Sequence, residues 1–292
     1  MTGSLPAIRR GKVREVFLRL CSSPLTVFGM LVLLLLILVA LFAGYIAPYP
    51  YDLQDYGSVL SFPSLSHPFG TDNLGRDILS RVIYGSRVSL LIGFISLFAG
   101  ALCGSLSGAL AGFFGGAADS FIMRFCDMVM SIPKIILAIA VSAILGPGLV
   151  NAMVSVSISS APAFARVVRA GVITVKDREF IEASRAAGCG NGRILFRHIL
   201  PNVAAPIIVQ STLGVSTAIL LAASLSFLGL GVQPPTPEWG AMLSAARGFT
   251  RNEWYMVLFP GLAIMLSVLS LNLFGDGLRD ALDPRLRDGR RF

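Results

Sequence analysis

The chain has 292 residues, 54% of them hydrophobic and 14% charged, with a mean hydropathy of +0.75. Soluble domains carry about 25% charged residues, so this composition excludes an ordinary water-soluble globular protein. A net charge of +8 and a pI of 9.8 reflect membrane topology rather than nucleic-acid binding, because no aromatic-rich basic stretch of the kind that stacks bases is present.

Residues 1–24 are basic and precede an uncharged apolar run, Leu25 to Ala47. About 20 apolar residues span a bilayer. The run exceeds the roughly 7–15 residues of a cleaved secretion signal, so it is an uncleaved anchor. Segment 48–87 starts rich in Pro, Ser and Tyr and continues as HPFGTDNLGRDILSRVIYGSR. Asp72 or Asn73 can cap a helix there, and Ile78, Leu79, Val82 and Ile83 form a narrow apolar stripe. That stripe predicts a short helix on the membrane surface leading into the second span. Gly70 to Asp77 has the glycine spacing of a phosphate loop, but Arg76 and Asp77 stand where Lys and Ser/Thr are required, which excludes nucleotide binding.

The second span, Val88 to Phe114, contains Gly104, Gly108 and Gly112 at four-residue intervals. Small residues so spaced let helix backbones approach closely in lipid, either within one chain or between subunits. A third span covers Met128 to Leu145, with Arg124 and Asp127 placed to pair at its start. Lys134 follows Pro133 inside this apolar run. Charge at that depth is costly. Its stem can reach a polar layer, its amine can pair with a carboxylate on another subunit, or it can line a pathway and attract anionic cargo. The fourth span, Leu149 to Ala165, is the weakest, being Ser-rich and holding Pro162. The fifth and sixth, Val203 to Val232 and Tyr255 to Phe274, have only Gln210 and Asn272 as larger polar groups. The spans lack the chain of buried acids that a proton-coupled pump needs, so if the chain is a transporter its energy must arrive from elsewhere.

With the amino terminus inside, inner segments hold 18 Lys and Arg residues and outer segments 5, Lys134 lying between. That is the asymmetry of a six-helix protein with both termini in the cytoplasm. Four scattered cysteines and two distant histidines, His67 and His198, make no metal-ligand spacing. No catalytic constellation is visible.

Between the fourth and fifth spans lies EFIEASRAAGCGNGRILFRHILPN, starting at Glu179. Its first half has helical spacing, with Glu182 and Arg185 three residues apart on one side. Gly188 and Gly190 break the helix, and a second short helix, Arg193 to Leu200, stops before Pro201. Two helices joined by a glycine bend, mixed in charge and flanked by spans, suit docking to a partner at the membrane surface. In the outer stretch Val232 to Gly240, VQPPTPEWG, three prolines stiffen the backbone ahead of Glu238 and Trp239. The stretch either shapes an outer docking surface or is a rigid turn with Trp239 as a lipid anchor.

Glu182, Ala183, Ser184, Gly188, Leu200 and Pro201 fall on the spacing of the EAA motif of ABC importer permeases, with Ser184 in place of the second Ala and His198 in the usual Ile slot. HPFGTDNLGRDILSR, LSFLGLGVQPPTPEWG and NLFGDGLRDALDPR resemble the second permease of dipeptide, oligopeptide and nickel importers over residues 25–287. The resemblance implies an all-α inner-membrane protein of six helices with a type I importer domain at 88–276, a coupling segment at 177–201 and a tail at 277–292. It implies a sister permease, two cytoplasmic ATPases that hold ATP and Mg, and an extracytoplasmic solute-binding protein. The six EAA-motif residues would couple to an ATPase groove, Lys134 would face the pathway, and Glu238 and Trp239 would dock the binding protein. The chain itself would be no enzyme and would carry no cofactor. Its cargo would be small peptides, or else nickel complexes, glutathione or another small solute.

Overall fold

The computed structural model describes residues 18–282. Arg9, Arg10, Lys12 and Arg14, and Arg285, Arg287, Arg290 and Arg291, on which part of the charge asymmetry rests, lie outside the described residues. Among the described residues there is no β-strand, only an isolated bridge between Thr71 and Asp77. Five helices are long and apolar enough to cross a membrane: α1 (Pro24–Leu41), α2 (Ile78–Phe114), α5 (Leu149–Lys176), α7 (Ala204–Phe227) and α9 (Tyr255–Leu282). Helices α3 (Gly116–Met130) and α4 (Lys134–Leu145), which meet at 92°, are long and apolar enough only when taken together as one bent span. Short helices α6 (Glu179–Ala186) and α8 (Trp239–Ala246) lie at opposite ends of the bundle.

The apolar stripe at 78–83 makes no separate surface helix. It opens α2, which runs unbroken for 37 residues. At 1.5 Å per residue that is about 55 Å, well beyond the roughly 30 Å hydrocarbon layer. Ile78 and Ile83 are buried, and Ile78 packs with Trp239, Met242, Tyr255 and Met256 in a protein core at the loop end. A narrow apolar stripe is the same in sequence whether it meets lipid or protein. The cap is Asp77, whose side chain accepts from Ser80 N, rather than Asp72 or Asn73. Asp72 instead closes the preceding turn, accepting from Leu74 N and Arg76 N.

The expected weak fourth span is the continuous 28-residue α5, with Pro162 inside it and buried. Its serines satisfy their hydroxyls on carbonyls four residues back, as Ser159 does on Ser155 at 2.8 Å. The glycine ladder of α2 faces α5 within this same chain. A Cβ built on Gly104 would lie 2.1 Å from Ala161 O, and one on Gly108 2.1 Å from Ala165 O. The intramolecular reading of those glycines is therefore the one the fold uses.

Arg124 and Asp127 do not pair with each other; Asp127 accepts from Arg166 of α5 at 2.6 Å. Asp119 likewise binds Arg169 at 2.6 Å. Helix ends are closed by long cations. Arg87 donates to the Ala40 and Leu41 carbonyls that end α1 (3.0 and 3.1 Å), and Lys176 donates to Gly112 O at the end of α2 (3.2 Å). A cation at a helix C-terminus also meets the negative end of its dipole.

Candidate functional site

The helical elbow at 179–202 sits at the end of the bundle opposite the 48–77 loop. In α6, Glu179 and Glu182 occupy the first turn and Arg185 the last, the order the helix dipole favours. The helix stops in a Schellman turn: Gly188 N bonds Arg185 O (2.9 Å) and Cys189 N bonds Ser184 O (3.1 Å). Gly188 has φ +79°, the left-handed conformation that glycine takes without a Cβ clash. The chain then turns at Asn191–Arg193 and widens into a π-helix at Ile194–Ile199 before a 3₁₀ turn at Leu200–Asn202.

The inner face of the elbow is apolar. Ile181, Ile194, Leu195, Ile199 and Val203 pack against Ala109 of α2 and Val168, Val172 and Val175 of α5. Each such fully buried side chain contributes roughly 1.5–3 kcal/mol, so the elbow is fastened to the two longest neighbours. Its other face is open: Glu182, Ala183, Arg185, Gly188, Phe196, Arg197 and Pro201 are exposed, while Ser184 and Leu200 are half-buried. Sequence spacing found this face. It did not find the π-helix, which carries the chain toward Pro201, a residue with no N–H to give an α-helical ladder. Asn202 Nδ2 bonds His198 O at 2.6 Å beside that gap.

Lys134 is not in the middle of a continuous span. It is the first residue of α4, at the 92° break after Pro133. The twelve residues of α4 measure about 18 Å, less than the bilayer core. The side chain is exposed in the chain as described and makes no hydrogen bond or ion pair among the described residues.

Glu238 and Trp239 are each only 1% exposed, so neither side chain offers a surface for docking, and Trp239 is no lipid anchor. Glu238 caps α8, accepting from Gly240 N (2.9 Å) and Ala241 N (2.8 Å). Ser89 of α2 donates to it at 3.3 Å and accepts from Trp239 N at 3.2 Å. Trp239 Nε1 donates to Val82 O at 3.0 Å. Burial pushes the Glu238 carboxyl up from its usual range, against the Gly240, Ser226, Ala241 and Ser89 bonds that favour its anion. The pair is a structural rivet between α8 and α2. The prolines signalled stiffness but not that the chain re-enters the protein.

A bundle of long apolar helices with a packed elbow presenting a polar face defines an integral membrane protein with a docking face at one end. Residues 104–288 match the model of the binding-protein-dependent transport system inner membrane component family, and residues 12–64 match the N-terminal transmembrane domain of oligopeptide transport permease C. The chain belongs to the binding-protein-dependent inner membrane component family, and is a multi-pass ABC importer permease. It is 48% identical to the dipeptide transport system permease protein DppC of Alkalihalophilus pseudofirmus, covering 94% of this chain and 90% of that one. It is 50% identical to the di/tripeptide permease DppC of Pseudomonas aeruginosa, covering 89% and 88%. It is 48% identical to the glutathione permease GsiD of Escherichia coli, covering 97% and 95%. An inward-facing structure of the MetNI methionine ABC transporter shares the fold, with a TM-score of 0.56 and 23% identity over 70% of this chain and 97% of that one.

Proposed function

We propose that this chain pairs with a sister permease to form the path by which small peptides cross the bacterial inner membrane, with both termini in the cytoplasm. The observation that carries the coupling half of this reading is the elbow: an apolar face clamped to α2 and α5 beneath an exposed face holding Glu182, Ala183 and Gly188. That face fits the groove of one of two ATPase subunits, which bind ATP and Mg. Ser184, Leu200 and Pro201 shape the turn behind it. Movement of the ATPases reaches the spans through the buried isoleucines, and the switch follows because the partner binds the two arrangements of the elbow differently. An extracytoplasmic binding protein delivers cargo at the loop end. Peptide as cargo is supported by relatives named for dipeptides and di/tripeptides. Glutathione, itself a tripeptide, is the cargo named for another relative of equal identity.

Reconstitution of the whole transporter with its binding protein in liposomes tests this. ATP-dependent uptake of labelled dipeptide or glutathione, abolished by omitting either permease, is the expected result. Uptake that persists without ATP, or with this chain omitted, overturns the reading.

A further inference from the structure

Between α1 and α2 the chain runs through a long loop, 48–77, whose only helical piece is the 3₁₀ turn Tyr56–Ser58. Irregular loops of that length are uncommon in a packed fold and are usually functional. The stem of this one is fixed. Leu60 N donates to Asp72 O (3.1 Å), Thr71 N to Ser61 O (3.0 Å) and Ser61 N to Thr71 Oγ (2.8 Å). Tyr49 N donates to Ser80 Oγ of α2 (3.1 Å), and the Phe62 ring lies 5.4 Å from that of buried Tyr255. Two turns project from this stem. The Asp55 carboxylate accepts from Gly57 N (3.0 Å) and Ser58 Oγ (2.7 Å), which sets Tyr56 at one tip. Ser64 N donates to His67 O (2.9 Å) and His67 N to Ser64 Oγ (3.1 Å), which sets Leu65 at the other.

The side chains at those tips are bare. Tyr56 is 74% exposed and Leu65 fully so, and Leu53 and Phe62 are each more than half exposed. One exposed apolar residue needs no account, but four on a single ordered loop mark an interaction site. Tyr56 and Leu65 lie four residues either side of Leu60 and Ser61, a reach of at most about 14 Å each. Both therefore fit within the roughly 800 Å² that one partner gives to a standard interface. The exposed charged residues of this loop are Asp52 and Asp55, both acidic, whereas Asp72, Arg76 and Asp77 are buried. That sign decides between occupants. A membrane surface selects Lys and Arg beside its aromatic anchors, and anionic lipid repels two carboxylates. A permanent subunit contact is more apolar than this mixture of serines, Gln54 and single apolar tips. Tyrosine set in a polar rim suits an interface that forms and parts.

We propose that the tips at Tyr56 and Leu65 are the surface on which the extracytoplasmic binding protein docks, meeting apolar recesses flanked by Lys or Arg. This rests on the transport reading above, and it takes the place of Glu238 and Trp239, whose burial removes them from any such contact. Because Tyr49 is bonded to Ser80 in the first turn of α2, a docked partner would bear on the helix that reaches the elbow core.

The test measures binding of the transporter's purified binding protein to the assembled complex in nanodiscs. Tyr56→Ala and Leu65→Ala should each raise Kd about tenfold, with the sister permease still bound. Asp52→Asn and Asp55→Asn together keep the Gly57 bond, since an Asn side chain also caps. That pair should slow association about threefold at low salt and leave dissociation nearly unchanged. A photo-crosslinker at the Leu65 position should join this chain to the binding protein. An unchanged Kd in both alanine variants, loss of the sister permease from them, or a crosslink only to that permease or to lipid overturns the proposal. Failure of the unaltered complex to bind the protein at all would overturn the transport reading along with it.

Discussion

Replacing Gly108 by Ala sets two effects of opposite sign against each other. In an isolated helix the change is stabilising by about 1 kcal/mol, because alanine is the better helix former. In α2 the new methyl would lie 2.1 Å from Ala165 O and 2.7 Å from Ala165 Cα, both backbone atoms of α5. Neither can rotate away. Reaching an ordinary carbon–oxygen separation requires α2 and α5 to part by roughly 1 Å, a gap that forfeits a quarter to a half of each local dispersion contact. Overpacking of this kind costs about 1–3 kcal/mol, so after the propensity gain the expected net effect is destabilisation by up to about 2 kcal/mol. The assay is thermal unfolding of the complex in nanodiscs, with Gly261→Ala as the control, since nothing lies within 4 Å of a Cβ built there. Gly108→Ala should unfold at lower temperature and Gly261→Ala should not. A Gly108→Ala complex as stable as the unaltered one would show that the helices are not in the close approach described.

Gly188→Leu should weaken ATP-coupled uptake, because a left-handed backbone costs a side chain about 1–2 kcal/mol, whereas Gly188→Asn should retain most of it; equal substrate-stimulated ATPase activity in both variants would refute a conformational role. Glu238 has its folded pKa raised by burial above the ordinary value of 4.5, so its contribution to stability is full below that value and is lost as pH rises through the raised one. The unfolding temperature of the unaltered complex should therefore fall with rising pH more steeply than that of Glu238→Gln, and identical slopes would count against it. Lys134→Met should lower uptake of anionic cargo more than of neutral cargo if the amine faces the pathway; transport of both alike would place it elsewhere. Spin labels across α2 and α5 should keep their distance when ATP binds, while labels on either side of Ser131 change theirs; the reverse pattern would defeat the rigid-strut argument developed below.

The elbow was legible because its signals are local. Gly188 announces a left-handed stop, Pro201 a second one, and alternating charge marks the open face. The glycine ladder was legible as a close approach, but spacing alone does not name the partner helix, and only the fold shows that α5 supplies it. Ile78, Leu79, Val82 and Ile83 misled for a physical reason. Lipid and a protein core select the same side chains, and what buries Ile78 is Trp239 and Tyr255, more than 150 residues away. Glu238 reads in sequence as a surface acid because carboxylates in proline-rich loops usually are. Its donors come partly from Ser89 of a distant helix, which no window along the sequence reveals. The third span reads in sequence as one continuous run from Met128 to Leu145, and Pro133 alone does not reveal that the chain bends by 92° there, with α3 held to α5 by Arg166 and Arg169.

Those two ion pairs bear on how a movement of the elbow travels. Helix α2 reaches from the loop-end core, where Ile78 sits, to the elbow core, where Ala109 touches the buried isoleucines' neighbours. The glycine contacts leave no slack between α2 and α5, so the pair acts as one strut, and close-packed helices do not deform continuously. Helices α3 and α4 are built differently. They join α2 through Gly115 and Gly116, at φ +66° and +56° with nothing within 4 Å of either Cβ position, and they bend by 92° at Ser131 to Pro133. At the elbow end α3 is held to α5 by Asp119–Arg169 and Asp127–Arg166, of which the second is largely solvent-exposed. Exposed pairs contribute little, about 0–1 kcal/mol. Displacing α3 against the strut therefore costs far less than parting α2 from α5. Lys134 sits at the bend that such a displacement would open or close.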